Sequence, residues 1–525
     1  MVNSLEPQQA TRLLEHKDGF EIFRCQGEPT DLMEAILGRL RVFFSAPDWQ
    51  CQRTVHSVVF QCDTAEITVA VKLAGVAASA ISSPFAGRHP MTDIAIIGRC
   101  LVGRAEQAYQ LAVDFLRVFS SSYSAEEVKL ICNGFPLLSH VAEQLDFADD
   151  KVALIFRDHF LEDNLAFLLS CRDAGINPRW IFALSKGDRT LKRDRIASYL
   201  KSLHFNVGVF DNAVFDAKVF DENTSSVYGL LEQFVLQAKA AGKRVVLIDD
   251  GALMPIMFGQ RQHLIDFVIE LTIIGIKRLN KLGALNMPVL DLARSRLKTA
   301  LVYPEIADAC FRRVRHMLSD EKFSGRTVVI AGYGNAGRPL AEKFRSIGCQ
   351  VVVVDVNSIP LICAAEEGFR TFSSLKGALE HHRPMLVIGC SGEVSISADD
   401  LQLIPDGCYL TGIATRDLSA IRSHLGEQQI TEIPRFGTEY RLSPDRVFYQ
   451  LGDGRSVNLF ESDSIPNKAG DIFRAAVLIM LASGISRPEA FKPGINLEAV
   501  DNLLEASSLF DLYYNTYLDQ SGAMR

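Results

Sequence analysis

The sequence predicts an α/β protein with two doubly wound parallel sheets, preceded by a small α+β module. Three observations carry this reading. Short apolar strands alternate with longer helical stretches from about residue 126 to 290, and a second run of the same kind starts at Thr327. Between the first strand and first helix of that second run stands a glycine-rich turn, Gly332-Tyr333-Gly334-Asn335-Ala336-Gly337. Alternation of this kind implies parallel strands covered by helices. A chain of 525 residues, 48% hydrophobic and 22% charged, also exceeds the size at which one core keeps growing, so more than one domain is expected.

Taken in order, residues 1–125 mix strand-like runs at Thr54–Gln61 and Glu66–Val71 with an amphipathic stretch at Glu106–Val118, and end in the polar segment Ser-Ser-Ser-Tyr-Ser-Ala-Glu-Glu. They read as a separate α+β module. Residues 126–300 follow as a first doubly wound domain: strand Val152–Phe156, helix 161–174, strand Trp180–Leu184, helix 190–202 and strand Arg244–Ile248. The second domain, 301–459, has strands at Thr327–Ala331, Val351–Asp355, Met385–Ile388 and Tyr409–Leu410. Residues of about 460–485 are expected to return and complete the first domain, leaving 486–525 as a helical tail. Helices near 290–320 and 466–480 cross between the two domains and make a natural hinge.

Composition excludes several classes. The formal charge is −8 with no long basic block, so nothing favours nucleic acid or an anionic membrane surface. The N-terminal stretch MVNSLEPQQATRLLEHKDGF lacks a signal-peptide core, and apolar stretches such as Ala475–Ala482 are shorter than the roughly 20 residues a bilayer requires. A cytoplasmic location is expected. Eleven scattered cysteines with no paired spacing fit reduced, mostly buried thiols rather than disulfides or a metal centre, and no metal site is expected.

The glycine turn is the most specific signal. Its three glycines do different things. Gly332 allows the tight turn, Gly334 lets a pyrophosphate approach the backbone, and Gly337 lets helix and strand pack closely. The N–H groups of Asn335, Ala336 and the helix start would then bind phosphate oxygens, and Pro339 suits the helix start because its missing N–H has no partner there. The next strand ends in Asp355, where a carboxylate accepts hydrogen bonds from the adenosine ribose. That choice favours NAD over NADP, since a 2′-phosphate would meet like charge.

With these residues in hand, the chain from about Phe135 to 480 resembles the S-adenosylhomocysteine hydrolase family. Val329-Ile-Ala-Gly-Tyr-Gly-Asn-Ala-Gly-Arg resembles that family's V-A-G-Y-G-D-V-G-K. Phe135-Pro-Leu-Leu, His159, Asp249-Asp250-Gly251, Glu270–Gly275, Pro288–Lys298, the 357–368 segment and Val457-Asn458-Leu459 fall in the family's order. The resemblance implies a redox-assisted lyase in which held NAD⁺ oxidises a ribose 3′-hydroxyl, a thiol is eliminated, water adds, and the hydride returns. It further implies that His159 and Asp250 serve acid/base chemistry near the 5′ carbon, that Lys298 touches the 3′-hydroxyl, and that Thr272, Gly392 and Asn458 contact the nicotinamide half. The structural alternatives are a loop histidine for His159, a helix N-cap for Asp250 and a solvated helix residue for Lys298.

The departures from the family are as informative. The family's E-E-T-T-T-G becomes Glu270-Leu271-Thr272-Ile273-Ile274-Gly275, and the Asp-Asn pair after the lysine becomes Val302-Tyr303. The histidine of N-I-G-H is absent from Thr411-Gly-Ile-Ala, and the later substrate histidine falls on Ile465. The family's C-terminal Lys/Tyr pair has no counterpart, only Tyr513, Tyr514 and Tyr517 in a different tail. Apolar replacements remove partners for substrate hydroxyls. The expectation is therefore an NAD-dependent enzyme remodelled for another nucleoside, sugar or thioether substrate, with a non-catalytic NAD(H)- or nucleoside-binding protein as the second reading and hydrolysis of S-adenosylhomocysteine itself as the third. A homodimer or homotetramer is implied by the resemblance.

Overall fold

The alternation of apolar and polar residues along the N-terminal strands gives them one face to bury. In the computed structural model they are β1 (Gly19–Gln26), β2 (Gln50–Arg53), β3 (Ser57–Gln61), β4 (Glu66–Leu73) and β5 (Met91–Arg99), an antiparallel sheet in the order β1-β5-β4-β3-β2. The described residues are 18–26, 29–73, 91–121, 123, 125–147, 151–186, 190, 192–210, 222–414, 417–421, 425, 429–433, 436–452, 454, 456–460, 462 and 467–519. Val58, Phe60, Ile67, Val69, Ile94 and Ile96 pack against Met33, Ile36 and Leu40 of helix Pro29–Phe43 and Ala112 and Leu116 of helix Arg104–Ser121. The single strand expected at Thr54–Gln61 is instead the second arm of a hairpin. Thr54 turns the chain, its Oγ accepting from the N–H of Ser57 at 3.0 Å, and β2 pairs back on β3. This sheet lies within one unit, Met1–Glu127; the rest of the chain, Val128–Arg525, is a second.

The second unit holds two parallel sheets. In the first, β6 (Val152–Asp158), β7 (Ile181–Ser185), β9 (Arg244–Asp249), β10 (Phe267–Glu270) and β11 (Pro288–Asp291) are almost uniformly buried runs, as strands covered on both faces must be, while the edge strand β8 (Asn206–Val209) is only half-buried. Trp180 lies not in β7 but in a short 3-10 turn before it, where Asn177 Oδ1 accepts from Arg179 N at 3.0 Å. The strand order is β8-β7-β6-β9-β10-β11, with Gly494–Asn496 added beside β11. The tail is therefore not wholly helical. Gly494–Asn496 pairs in parallel with Pro288–Leu290, which would otherwise leave β11 as an open edge.

The second sheet begins with β12 (Thr327–Ala331), β13 (Gln350–Val354), β14 (Arg370–Phe372), β15 (Leu386–Gly389) and β16 (Cys408–Gly412), and continues with β17 (Ile430–Ile433), β18 (Gly437–Ser443) and β19 (Arg446–Leu451). Its order is β14-β13-β12-β15-β16-β19-β18-β17, parallel as far as β19 and antiparallel beyond. Each sheet thus reverses direction once, between β6 and β9 in the first and between β12 and β15 in the second. A crevice forms at such a reversal, beyond the carboxyl ends of the strands.

Two connections join the sheets. After β11 the chain runs through a π-helical turn, Lys298–Val302, into helix Tyr303–Met317, which packs on helix Gly337–Ser346 of the second sheet. It returns through helix Asn467–Ser486, which packs on helices Pro136–Glu143 and Glu162–Asp173 of the first. Among the described residues the segment Lys468–Ser486 is the one long and apolar enough to cross a membrane, and 78% of it is buried inside the protein. Its polar residues staple it in place. Asp471 accepts from the N–H groups of Leu137 at 2.9 Å and Leu138 at 2.8 Å, capping a helix whose own N-cap, Phe135, offers no acceptor. Tyr517 donates to the same carboxylate at 2.6 Å, fastening the tail to its own lobe.

The eleven cysteines are all free thiols, and Cys51, Cys100 and Cys363 are exposed, so fewer are core residues than composition suggested. Replacing Asp471 by Ala would strand two buried N–H donors. The expected loss is roughly 2–4 kcal/mol, read as a lower urea midpoint for the second unit.

Candidate functional site

The crevices of the two sheets open into one cleft of about 860 Å³. On the second-sheet side, β12 ends at the glycine turn. Gly332 has φ +112°, and a Cβ there would strike the backbone of Cys390 and Ser391 after β15. A Cβ on Gly337 would lie 1.9 Å from Gly332 O, so the helix start can sit this close to the turn only without a side chain. Gly334 faces open space, as expected where a ligand is to approach the backbone. Asn335 and Ala336 also line the cleft, at the N-terminal end of helix Gly337–Ser346, whose dipole favours an anion there.

Asp355 follows β13 directly and lines the same cleft. One of its oxygens accepts from Tyr333 N at 2.8 Å and the other from Asn357 N at 2.9 Å, so the carboxylate braces the glycine turn while keeping lone pairs for a ribose. Gly392, with φ +69°, lies in the loop after β15. That loop is held by Asp417, which sequence reasoning missed: its Oδ1 accepts from Ser391 N and Gly392 N, each at 3.1 Å, and from Ser395 Oγ at 2.7 Å. Its other oxygen takes Ala414 N at 2.9 Å. Burial pushes this carboxyl up to about 6 against the pull of those donors. Gly389 and Gly412 lack side chains where Asp417 packs, but no local pattern marks a lone aspartate in a loop for such a role.

Asn458 and Thr272 reach the cleft from the flanks. Asn458 is buried, its Oδ1 taken by Ser456 Oγ. Thr272 caps helix Ile273–Lys281, accepting from Gly275 N at 3.2 Å and donating to Glu270 Oε1 at 2.7 Å, so its hydroxyl is already committed.

On the first-sheet side, His159 follows β6 and Asp250 follows β9, flanking the point where strand order reverses. Asp250 is not a helix cap. Asp249 does that work, its Oδ2 accepting from Met254 N at 2.8 Å, while Asp250 Oδ1 accepts from Lys186 Nζ at 2.8 Å. Burial works to raise the Asp250 carboxyl, but the adjacent Lys186 ammonium holds it well below the usual carboxylate range. Lys186 Nζ also lies 3.3 Å from His159 Nε2. Sequence reasoning missed this lysine, although its place one residue beyond a parallel strand was a usable signal.

Lys298 is not a solvated helix residue. It is 6% exposed, donates to Leu271 O, and holds its ammonium 4.9 Å from the Phe473 ring centre and 5.4 Å from that of Tyr303. Burial brings its amine down to about 8, against the opposing charges of Asp250, Asp158 and Glu270. Leu271, Ile273, Ile274, Val302 and Tyr303 line the same cleft and make part of its wall apolar; Ile465 lies outside the described residues. Beneath the wall Glu270 is fully buried, and burial together with the Asp249 charge raises its carboxyl well above the usual range.

Known proteins resemble this chain in part of its sequence. Residues 307–464 match the S-adenosyl-L-homocysteine hydrolase NAD binding domain. The chain is a divergent relative of the S-adenosylhomocysteine hydrolase family. It is 29% identical over 277 residues to S-inosyl-L-homocysteine hydrolase of Methanocaldococcus jannaschii, covering 50% of this chain and 65% of that protein. It is 27% identical over 255 residues to adenosylhomocysteinase of Aeropyrum pernix, covering 46% and 59%. The chain thus spans less than two thirds of the length of either relative. The second sheet lies in the stretch that matches the NAD-binding domain of this family, and the open face at Gly334 beside a helix N-terminus fits a dinucleotide.

Two substitutions test this half of the cleft. Asp355→Arg removes the brace of the glycine turn and the ribose acceptor together, and NAD affinity measured by calorimetry should fall by a factor of ten or more, roughly the worth of one charged hydrogen bond. Asp417→Asn should weaken NAD binding about tenfold by loosening the Ser391–Ser395 loop. In the unsubstituted protein, affinity should decline as pH falls through about 6, where the Asp417 carboxyl gains its proton.

Proposed function

We propose that this protein is an NAD-dependent, redox-assisted lyase or hydrolase acting on a nucleoside, sugar or thioether substrate other than S-adenosylhomocysteine. The observation that carries the reading is the convergence of His159, Asp250 and Lys298 on one cleft with the dinucleotide turn. Bound NAD would supply a hydride acceptor next to the substrate. Lys298, with its amine brought down to about 8 by burial, is suited to take a proton from a substrate hydroxyl at neutral to mildly alkaline pH. His159 and Asp250, in the same cleft, are the groups that would exchange a proton with a departing thiol or an entering water.

The apolar wall argues for the altered substrate. Leu271 and Val302 stand where the family places hydrogen-bonding acids, so a substrate presenting hydroxyls there would bury them unpaired. The two crossings, Lys298–Met317 and the return into Asn467–Ser486, serve in this proposal as the hinge on which the lobes close over the ligands. A cytoplasmic location and a homodimer or homotetramer complete the reading. The second reading, a protein that binds NAD(H) without turnover, draws on the same apolar wall.

The deciding experiment denatures purified protein to release and count bound nicotinamide, then adds adenosine, inosine and thioether nucleosides to the intact protein and follows absorbance of the reduced cofactor. Reduction supports the enzyme; bound NAD that no such compound reduces favours the second reading. Where turnover is found, its rate should rise with pH through about 8 as Lys298 loses its proton. Lys298→Met should abolish it, and Lys298→Arg should not restore it, because a guanidinium stays protonated.

A further inference from the structure

We propose that Lys186 is a positioning residue that presents His159 as a hydrogen-bond acceptor, with Nε2 free of its proton, and locks it to an ionised Asp250. The proposal deepens the reading of His159 and Asp250 as the acid/base pair. Its basis is geometric. Lys186 leaves the end of β7, is 7% exposed, and reaches past β6 to the loop after β9. There its Nζ stands 2.8 Å from Asp250 Oδ1 and 3.3 Å from His159 Nε2.

An ammonium has donors and no acceptor, so the contact with Nε2 requires a lone pair on that nitrogen. The direct approach of His159 Nε2 to Asp250 Oδ2 is 3.8 Å, beyond hydrogen-bond range, so the carboxylate does not claim a proton there. The ring proton consequently belongs on Nδ1. Asp158, the other acid beside the ring, is committed elsewhere: its Oδ1 accepts from His159 N at 2.7 Å and its Oδ2 from Arg474 at 2.8 Å. Lys298 lines the same cleft and feels the charges of Asp250 and Asp158.

The ligand atoms of Asp158, His159 and Asp250 lie within 4.8 Å of one another, a spacing that suits a metal ion. Lys186 already puts a positive charge within reach of two of them, acting as a built-in cation. Two consequences follow for chemistry. With its proton on Nδ1 and its Nε2 lone pair turned to Lys186, the ring offers a substrate a hydrogen-bond donor, and it takes up a proton only where Nε2 is released from Lys186, beside an ammonium that encourages onward transfer. Without Lys186 an uncompensated buried carboxylate would stand next to the imidazole and favour its protonated form.

The test reads the ring directly and needs no substrate. Full-length protein labelled with ¹⁵N in its 11 histidines is examined by long-range ¹H–¹⁵N correlation near pH 7.5, with His159 assigned by the signals lost in H159Q. The wild type should show His159 with Nε2 unprotonated and Nδ1 protonated. K186M should convert the ring to the doubly protonated form or the other tautomer at the same pH, and K186R, which keeps a donor, should restore the wild-type pattern. A wild-type ring carrying its proton on Nε2 overturns the proposal whether or not K186M folds, as does a K186M ring identical to wild type. Because these outcomes are read without turnover, a failure to reduce bound NAD counts against the proposed function and leaves this inference standing on its own spectrum.

Discussion

The second unit depends on a buried ion cluster. Arg474, on the helix that brings the chain back from the NAD domain, donates to Asp158 at 2.8 Å and to Asp163 at 2.7 Å, and all three side chains are buried. Breaking such a cluster by removing one partner typically costs about 3–5 kcal/mol, because an unpaired charge is left in the interior. Here the cost guarantees that helix Asn467–Ser486 returns to one place on the first sheet. Asp158 also receives the N–H of His159, so the ion cluster that closes the fold sets the backbone of the candidate acid/base residue at the same time.

From that anchor the cleft acquires its character. Parallel strands deliver their following loops to one end of the sheet, and two sheets joined by two crossings turn those ends toward a common space. Its carboxylates are paired: Asp250 with Lys186, and Asp158 with Arg474, which also holds Asp163. Lys298 departs from this pattern. Its nearest groups are a carbonyl and two aromatic rings rather than a carboxylate, and desolvation is what makes its amine readily neutral. Val302, buried and lining the same cleft, fits that arrangement, since a carboxylate at that position would hold the amine charged.

The buried carboxyls divide into two kinds. Asp471 and Asp417 gather backbone N–H groups and fasten a helix start and a loop. Glu270 accepts from Gly251 N, Thr272 N and Thr272 Oγ through one oxygen, and a Cβ on Gly275 would collide with it. The Glu270–Gly275 segment is thus held as one structural unit, with the apolar Leu271 buried within it and lining the cleft.

The sequence by itself determined the parts that are local. The glycine turn, the strand before it and Asp355 beyond the next strand are legible because the backbone there must turn tightly and admit a phosphate, a demand only certain residues meet at that spacing. The buried strands were legible because coverage on both faces requires continuous apolar runs. Strand β2 and the added strand Gly494–Asn496 were not, since an edge strand is defined by its neighbour rather than by its own pattern. Only the tertiary structure decided the partners of charged side chains: that Asp249 rather than Asp250 caps a helix, that Lys186 joins His159 to Asp250, that Asp417 governs a loop 25 residues before it. Such pairings join residues distant in sequence, and their energies come from desolvation, which no single residue carries until the fold has excluded water around it.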